Sequence, residues 1–169
     1  SEDQISSIWI YVEEDADFNL DNTNSIFCAQ TASDVWVNSN IDEECLLPDQ
    51  ECGSVNEPFK TITWALAMIA PSESTPVTIH IENGTYSPET GEIFPINLPS
   101  YVSLEGESPE GTIIDAQSTS RVMILDDIHE CIISKVSLKG GYDSWEGGGV
   151  YLSNSSVSFI DVNINNNIG

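Results

Sequence analysis

The stretch SKVSLKGG at residues 134–141 returns 26 residues later as IDVNINNN at 160–167. The alignment superposes Val136 on Val162 and Leu138 on Ile164, with polar residues between them. Such alternation is typical of strands with one buried face. A period of 20–50 residues is typical of solenoids, whose units bury their apolar side only by stacking. We therefore predict parallel strands that stack from one coil to the next.

Similar apolar runs follow the same alternation from residue 77 onward. They are VTIHI (77–81), YVSLEG (101–106), GTIID (111–115), RVMIL (121–125) and GVYLS (149–153). Glycine, asparagine, serine or aspartate separates them, as expected for short strands joined by turns. The sequence predicts three short strands in each coil.

The register of these strands follows from placing YVSLEG in the same frame as SKVSLKGG. This frame aligns Val102 with Val136 and Leu104 with Leu138. The outward residues then form two ladders, one of Tyr101, Lys135 and Asp161 and one of Glu105, Lys139 and Asn165. Basic side chains would lie beside acids one coil away, a pairing that stabilises sheets modestly.

One helix is predicted, over residues 56–70 (NEPFKTITWALAMIA). Pro58 suits the opening of a helix, Thr61 can cap it, and Pro71 ends it. Its apolar face consists of Ile62, Ala65, Leu66 and Ile69.

The part of the chain before this helix has a weaker pattern. IWIYV (8–12) is strand-like, and the polar stretch 13–57 is too long for an ordinary loop. We interpret the stretch as an insertion held by a disulfide or a bound ion. The predicted organisation is an N-terminal strand and acidic insertion over 1–55, a capping helix over 56–75, and β-helix coils over 76–169 that continue beyond Gly169.

Together these segments resemble right-handed parallel β-helix proteins of the pectate-lyase-like superfamily. The resemblance rests on NEPFKTITWAL (56–66), the stretch 77–108 with its GTYSP-x-TGE-x-FP motif, GTIIDAQ (111–117) and the repeat 147–167. It is closest to uncharacterised microbial surface β-helix proteins. The resemblance implies an all-β solenoid whose N-terminal end is plugged by the helix. It implies no single activity, because this fold hosts lyases, hydrolases, adhesins and scaffolds.

Composition excludes some partners. The chain has 28 acidic residues against four Lys or Arg, a formal net charge of −24. A polyphosphate partner needs a basic surface, so we expect no nucleic-acid binding. Anionic membrane surfaces are disfavoured for the same reason, and no apolar run is long enough to predict membrane insertion of this chain.

The cysteines indicate an exported protein. Cys28, Cys45 and Cys52 lie in one loop-rich stretch, and a local disulfide such as Cys45–Cys52 is expected there. Their connectivity is open, and reduced thiols are the alternative. Cys131 alternates with Ile133 and is predicted to be a buried small hydrophobe. The expected location is secreted or at the cell surface.

A calcium site is one hypothesis for the insertion. DADFNLDNT (15–23) places oxygen-bearing side chains at alternate positions, as in the first half of a calcium loop. The candidate ligands are Asp15, Asp17, Asn19 and Asp21. A solvated acidic loop is the alternative.

The glycine-rich loop 140–149 (GGYDSWEGGG) carries candidate glycan contacts. Trp145 and Tyr142 can stack on sugar rings, and Asp143 and Glu146 can accept hydroxyl hydrogen bonds. In the alternative, Trp145 folds back over the side of the solenoid.

A catalytic set is not recognisable. The fold's enzymes need clustered carboxylates with a base or a second carboxylate. The candidates are Asp115, Asp126, Asp127, Asp143, Glu146 and Asp161, with Arg121, Lys135 or Lys139 as base. Asp126–Asp127 resembles an acidic pair in the galacturonan hydrolases of the fold, but their Gly-His-Gly and Arg-x-Lys signatures are missing, so a turn is expected.

We therefore predict a non-catalytic extracellular module with a structural, adhesive or assembly role, such as a surface filament. The alternative is a polysaccharide lyase, a hydrolase or a glycan-binding β-helix. The partners to expect are glycans and a second copy of the chain, docked on its open C-terminal coil.

Overall fold

The computed structural model of the chain describes residues 32–43, Cys45 and residues 52–169. The predicted strand 8–12, the calcium ligands Asp15, Asp17, Asn19 and Asp21, and Cys28 lie outside this described part.

The described chain is mostly β, with ten strands and one short α-helix. In chain order these are β1 (Asp34–Val37), α1 (Ile62–Met68), β2 (Val77–Ile81), β3 (Gly84–Tyr86), β4 (Ile96–Asn97), β5 (Val102–Gly106), β6 (Thr112–Asp115), β7 (Met123–Asp126), β8 (Cys131–Lys139), β9 (Val150–Ser153) and β10 (Val157–Ile164).

The strands form a parallel β-solenoid of about three coils, which confirms the predicted fold class. Its first face stacks β1, β2, β5 and the first halves of β8 and β10, all in parallel. The second face stacks β3, β6 and the second halves of β8 and β10, and the third face stacks β4, β7 and β9.

The core is a set of columns, each with one inward side chain per coil. Ile79, Leu104 and Ile133 occupy successive positions of one column and are fully buried. Burying a side chain of this size contributes roughly 1.5–3 kcal/mol. A single coil leaves its inward side chains open above and below, so stacking of neighbouring coils supplies nearly all of this burial.

The predicted register is right for the last two coils and wrong for the one before. Val162 pairs with Val136 and Ile164 with Leu138, as expected. Leu104, however, pairs with Ile133 and not with Leu138. Strand β8 carries two similar alternating segments, one on each of two faces, and alternation alone does not tell them apart.

The corrected register changes the ladders but keeps their chemistry. Lys135 Nζ lies 2.6 Å from a carboxylate oxygen of Glu105, and Lys139 Nζ lies 3.4 Å from one of Asp115. The expected neighbours Tyr101 for Lys135 and Glu105 for Lys139 are therefore wrong. The prediction that Lys135 and Lys139 each lie beside an acid one coil away is confirmed.

Helix α1 is shorter than predicted, covering 62–68 in place of 56–70. Thr61 caps it as expected, since its hydroxyl accepts the backbone N–H of Trp64 at 3.1 Å. Pro58 does not open it, because Phe59 forms a parallel bridge to Val37 of β1. The helix contacts β1, β2 and β4, at the N-terminal end of the solenoid.

The polar stretch 13–57 contains β1, which the sequence pattern did not reveal. Its Val35 and Val37 are fully buried, and β1 pairs in register with β2. The Cys45–Cys52 disulfide is present, and Trp64 Nε1 donates to the carbonyl of Cys45 at 3.1 Å. Cys131 is a free, buried thiol, and burial raises its pKa.

Among the helices that the structure describes, none has the length and apolar character needed to span a membrane.

Candidate functional site

The loop 140–149 leaves β8 at the end of the second face and leads into β9. Oδ1 of Asp143 accepts the backbone N–H groups of Trp145 and Glu146 at 2.9 and 3.0 Å. These bonds tie the tip of the loop to one carboxylate. The pKa of Asp143 is held below its usual value, chiefly by the amide of Glu146, then by that of Trp145, with Arg121 adding to the effect.

Arg121, from the preceding coil, anchors this tip. Its Nη2 lies 2.9 Å from Oδ1 of Asp143, and its Nε donates to the carbonyl of Glu146 at 3.0 Å. The guanidinium also lies 5.0 Å from the ring centroid of Tyr151, within cation–π range. One half-buried side chain therefore holds the loop against two coils.

Glycines let the loop lie close to its neighbours. A Cβ on Gly148 would lie 1.9 Å from the carbonyl oxygen of Ile168, and one on Gly141 would lie 1.9 Å from that of Gly148. Gly147 adopts a φ of +48°, which strains other residues. The backbone around Trp145 is thus fixed by packing as well as by hydrogen bonds.

Trp145 itself projects from the molecule. Its exposed fraction is 88%, larger than that of any other large apolar residue in the described part of the chain. Tyr142, in the same loop, is 45% exposed. The ring is not folded back over the solenoid. Glu146, the next residue in the chain, is also exposed, and its side chain makes no hydrogen bond or ion pair with the described residues.

A second group of polar residues lies on the outside of the first face. His80 Nε2 is 2.8 Å from Oδ1 of Asp34, and its Nδ1 is 3.7 Å from Oε2 of Glu105, which pairs with Lys135. The ring of Trp36 stacks on His80 with centroids 4.8 Å apart. We call Asp34, His80, Glu105 and Lys135 the first-face row.

The charged side chains of the first-face row pair with one another. The pKa of Asp34 is lowered by the hydroxyl of Ser33 and then by His80. The pKa of Glu105 is lowered chiefly by its bond to Lys135. A general acid needs a carboxyl with a raised pKa, and neither of these two shifts in that direction. A shallow groove of about 400 Å³ adjoins the row.

The acids considered for catalysis are distributed over several turns of the solenoid, with Asp143 and Glu146 together in the loop 140–149. Asp115 pairs with Lys139 at the end of the second face. Asp127 follows β7 on the third face with a left-handed φ of 58°, and its carboxylate accepts from Asn154 Nδ2 at 2.8 Å. Asp126 and Asp127 are therefore turn residues, as expected. Asp161 bends β10 between the first and second faces with a φ of 55°.

In the described part of the chain, no group of three or more His, Cys, Asp or Glu residues is placed to hold a metal ion. The predicted calcium ligands lie outside that part, so the calcium hypothesis stays a prediction.

The sequence predicted a candidate site in the loop 140–149, which we call the Trp145 loop, but it did not predict the first-face row. The row joins residues 34, 80, 105 and 135, and only the correct register brings these together. Because the sequence did not predict β1, it did not place Asp34 or Trp36 in the sheet next to His80.

The chain matches one protein family in sequence and is similar to solved pectin methylesterases in structure. A family described as a protein of unknown function (DUF1565) matches residues 48–125, less than half of the chain. A solved pectin methylesterase mutant in complex with a hexasaccharide is similar over 76% of this chain and 42% of its own, with 18% identity and a TM-score of 0.50. The chain has the parallel β-solenoid fold of pectin methylesterases.

The pectin methylesterase PemA from Erwinia chrysanthemi is also similar, with 20% identity and a TM-score of 0.45 over 66% of this chain. The chain spans about two fifths of the length of both solved proteins, 42% and 40%. No curated protein sequence matches it significantly. At these identities the likeness establishes the fold alone.

Proposed function

We propose that this chain is a non-catalytic, extracellular glycan-binding module, with Trp145 as the surface on which a sugar ring stacks. The observation that carries the proposal is an indole that is 88% exposed on a loop whose backbone is fixed. Leaving a large aromatic side chain in water forgoes roughly 1.5–3 kcal/mol of burial. A sugar ring that stacks on the indole would recover this burial.

The preorganised loop supports the proposal further. Asp143 and Arg121 hold the backbone on both sides of Trp145, so a ligand need not order the loop when it binds. Tyr142 offers a second aromatic side chain, and the carboxylate of Glu146 can accept sugar hydroxyl groups.

A lyase or hydrolase function is less well supported. Arg121, Lys135 and Lys139, the three candidate bases, each form an ion pair with a carboxylate. Hydrolysis of a glycosidic bond needs two carboxyl groups flanking one bond. Among the acidic candidates, only Asp126 with Asp127 and Asp143 with Glu146 are close in the chain, and Asp127 and Asp143 are engaged by Asn154 and by Arg121. One solved neighbour was crystallised with a hexasaccharide, which is compatible with oligosaccharide binding by this fold.

An extracellular location, at a microbial cell surface or secreted, agrees with the disulfide between Cys45 and Cys52. The acidic surface agrees with a saline exterior, where salt screens repulsion between like charges.

We also propose assembly between copies of the chain through β10. Phe159, Ile160 and Ile164 of this strand are 38%, 55% and 51% exposed, and β10 pairs with β8 along one edge. Light scattering over a range of concentrations tests this role. A larger particle whose mass falls in Ile164→Lys supports it, and a monomer at every concentration contradicts it.

The glycan proposal is tested with a panel of neutral, amino and acidic oligosaccharides, with and without calcium. We expect at least one ligand whose affinity falls about tenfold to a hundredfold in Trp145→Ala, the loss of one aromatic contact. Ile93→Ala is the matched control, because Ile93 is also an exposed apolar residue, at 65%, in a different loop.

Three results would contradict the proposal. The first is that no glycan binds, and the second is that Trp145→Ala binds as well as the unchanged chain. The third is the appearance of new reducing or unsaturated ends, which would make the chain an enzyme. Because Trp145 is almost fully exposed, its variant should unfold at the unchanged temperature, so lost binding would not reflect lost folding.

A further inference from the structure

The basic residues of the chain are all engaged. There are only four Lys or Arg side chains. Arg121 pairs with Asp143, Lys135 with Glu105 and Lys139 with Asp115, while Lys60 Nζ donates to the carbonyl of Asp42 at 2.9 Å. An acidic sugar bound to this chain would have to break one of these interactions to find a cationic partner.

The charge at the Trp145 loop itself is negative. The guanidinium of Arg121 is half-buried under the loop, with 22% of its side chain exposed, and it faces the carboxylate of Asp143. This pair balances its own charge. The carboxylate of Glu146 is then the uncompensated charge next to Trp145, on a chain whose formal net charge is −24.

A protonated amine fits both features of this loop. It is attracted to the face of an indole ring, and most strongly to tryptophan among the aromatic residues. It can form an ion pair with the adjacent carboxylate, and the field of an acidic protein raises its local concentration. A uronate carboxylate is repelled by the face of the indole ring, by the Glu146 carboxylate and by the net negative charge of the protein.

We infer that the Trp145 loop selects amino sugars, with the Trp145 ring as the stacking surface and the Glu146 carboxylate as the group that recognises a sugar ammonium. This inference rests on the proposed glycan-binding function and adds the class of ligand. We expect the site to exclude uronic-acid oligomers, although one solved protein of similar fold is a pectin methylesterase.

The test compares three oligosaccharides of equal length by calorimetry. They are a β-1,4-linked glucosamine oligomer, its fully N-acetylated counterpart and an oligogalacturonate, each at a mildly acidic pH where the free amine is charged. We expect the amine form to bind roughly 3- to 30-fold more tightly than the acetylated form, from one exposed ion pair and one cation–π contact. The galacturonate should not bind.

Two variants separate local recognition from general attraction to an acidic protein. Glu146→Gln should lose the part of the preference for the amine form that comes from the ion pair, and should keep the cation–π part and the affinity for the acetylated form. Glu110→Gln is the matched control, because it removes the same charge at an exposed position in another turn, between β5 and β6. Its preference should stay unchanged. Added salt should shrink the preference in the unchanged chain.

The outcomes distinguish this inference from the proposed function. Equal affinity for the amine and acetylated forms, or equal effects of Glu146→Gln and Glu110→Gln, overturns the amino-sugar class. So does a neutral glycan that binds through Trp145 while the glucosamine oligomer does not, although the glycan-binding function then stands. An amine oligomer that binds Trp145→Ala with full affinity overturns both, since attraction to net charge alone explains it.

Discussion

Replacing Glu92 by glutamine should destabilise the N-terminal closure of the solenoid. Glu92 is 3% exposed, and its carboxylate accepts the backbone N–H of Ile62 at 2.7 Å and those of Thr63 and Ile93 at 3.0 and 3.2 Å. It also accepts the hydroxyl of Thr63. Two of these N–H groups belong to the first turn of α1, which has no partner for them within the helix.

The size of the effect follows from this geometry. A carboxylate accepts at both oxygens, whereas glutamine presents an NH₂ group to donors that it cannot satisfy. The variant loses at least one hydrogen bond to a charged group, worth about 1.5–3 kcal/mol, and leaves a buried N–H unpaired. We expect the free energy of unfolding to fall by about 2–4 kcal/mol, or roughly 5–15 °C in melting temperature for a chain of this size.

Glu89→Gln is the matched control, because Glu89 is exposed in the same turn and the change of charge is identical. Surface changes of this kind usually alter stability by less than about 0.5 kcal/mol. Urea unfolding followed by circular dichroism measures both variants. If Glu92→Gln unfolds at the same urea concentration as Glu89→Gln, the carboxylate does not hold the helix and the reasoning is wrong.

Three further predictions concern the coils, the loop and the disulfide. Gly106→Ala should cost about 1–3 kcal/mol in urea unfolding, because its Cβ would lie 2.2 Å from the carbonyl oxygen of Lys135 in the next coil, while Thr78→Ala on the outside of β2 should be nearly neutral. The ionised carboxylate of Asp143 should stabilise the fold fully above the ordinary aspartate pKa of about 3.9. This contribution should vanish as the pH falls through the lowered pKa of Asp143 in the folded chain. Identical pH profiles of unfolding for Asp143→Asn and the unchanged chain would contradict this. Replacing Cys45 and Cys52 together by alanine should lower the free energy of unfolding by about 2–3 kcal/mol, since the disulfide closes a short loop; unchanged melting in calorimetry would show that the bond contributes nothing.

The longer strands from residue 77 onward could be predicted almost residue by residue. VTIHI and GVYLS, for example, correspond to β2 at Val77–Ile81 and β9 at Val150–Ser153. Their inward side chains are aliphatic and their outward ones mostly polar, so the period of two is visible without tertiary information. Strands β3 and β4 have three and two residues, too few to show any period.

The register and the exposure of Trp145 needed the structure for different reasons. Alternation fixes which side chains point inward but not which inward residue stacks on which, so Leu104 could be placed on Leu138 instead of Ile133. The exposure of Trp145 depends on Arg121, which lies 24 residues earlier and binds the loop only after the coils stack. Loop sequence alone therefore left both orientations of the ring open.

The GTYSP-x-TGE-x-FP motif is best explained by architecture. Tyr86 is fully buried, and its hydroxyl donates to the carbonyls of Val37 and Glu82. Gly91 takes a φ of +95° that turns the chain, and Glu92 then reaches the first turn of α1. These contacts join β1, the helix and the first full coil into the closed end of the solenoid.

The family match covers the closed end of the solenoid and, of the residues of the proposed site, only Arg121. The matched residues, 48–125, include the helix, the motif and Glu92, and they end before the loop that carries Trp145. In this chain the matched region contains the contacts that close the solenoid, and these contacts bind no ligand in our proposal. Ligand recognition would then vary with the loops of later coils, and a related chain should bind amino sugars only if it has equivalents of Trp145, Glu146 and the Arg121–Asp143 pair that holds them.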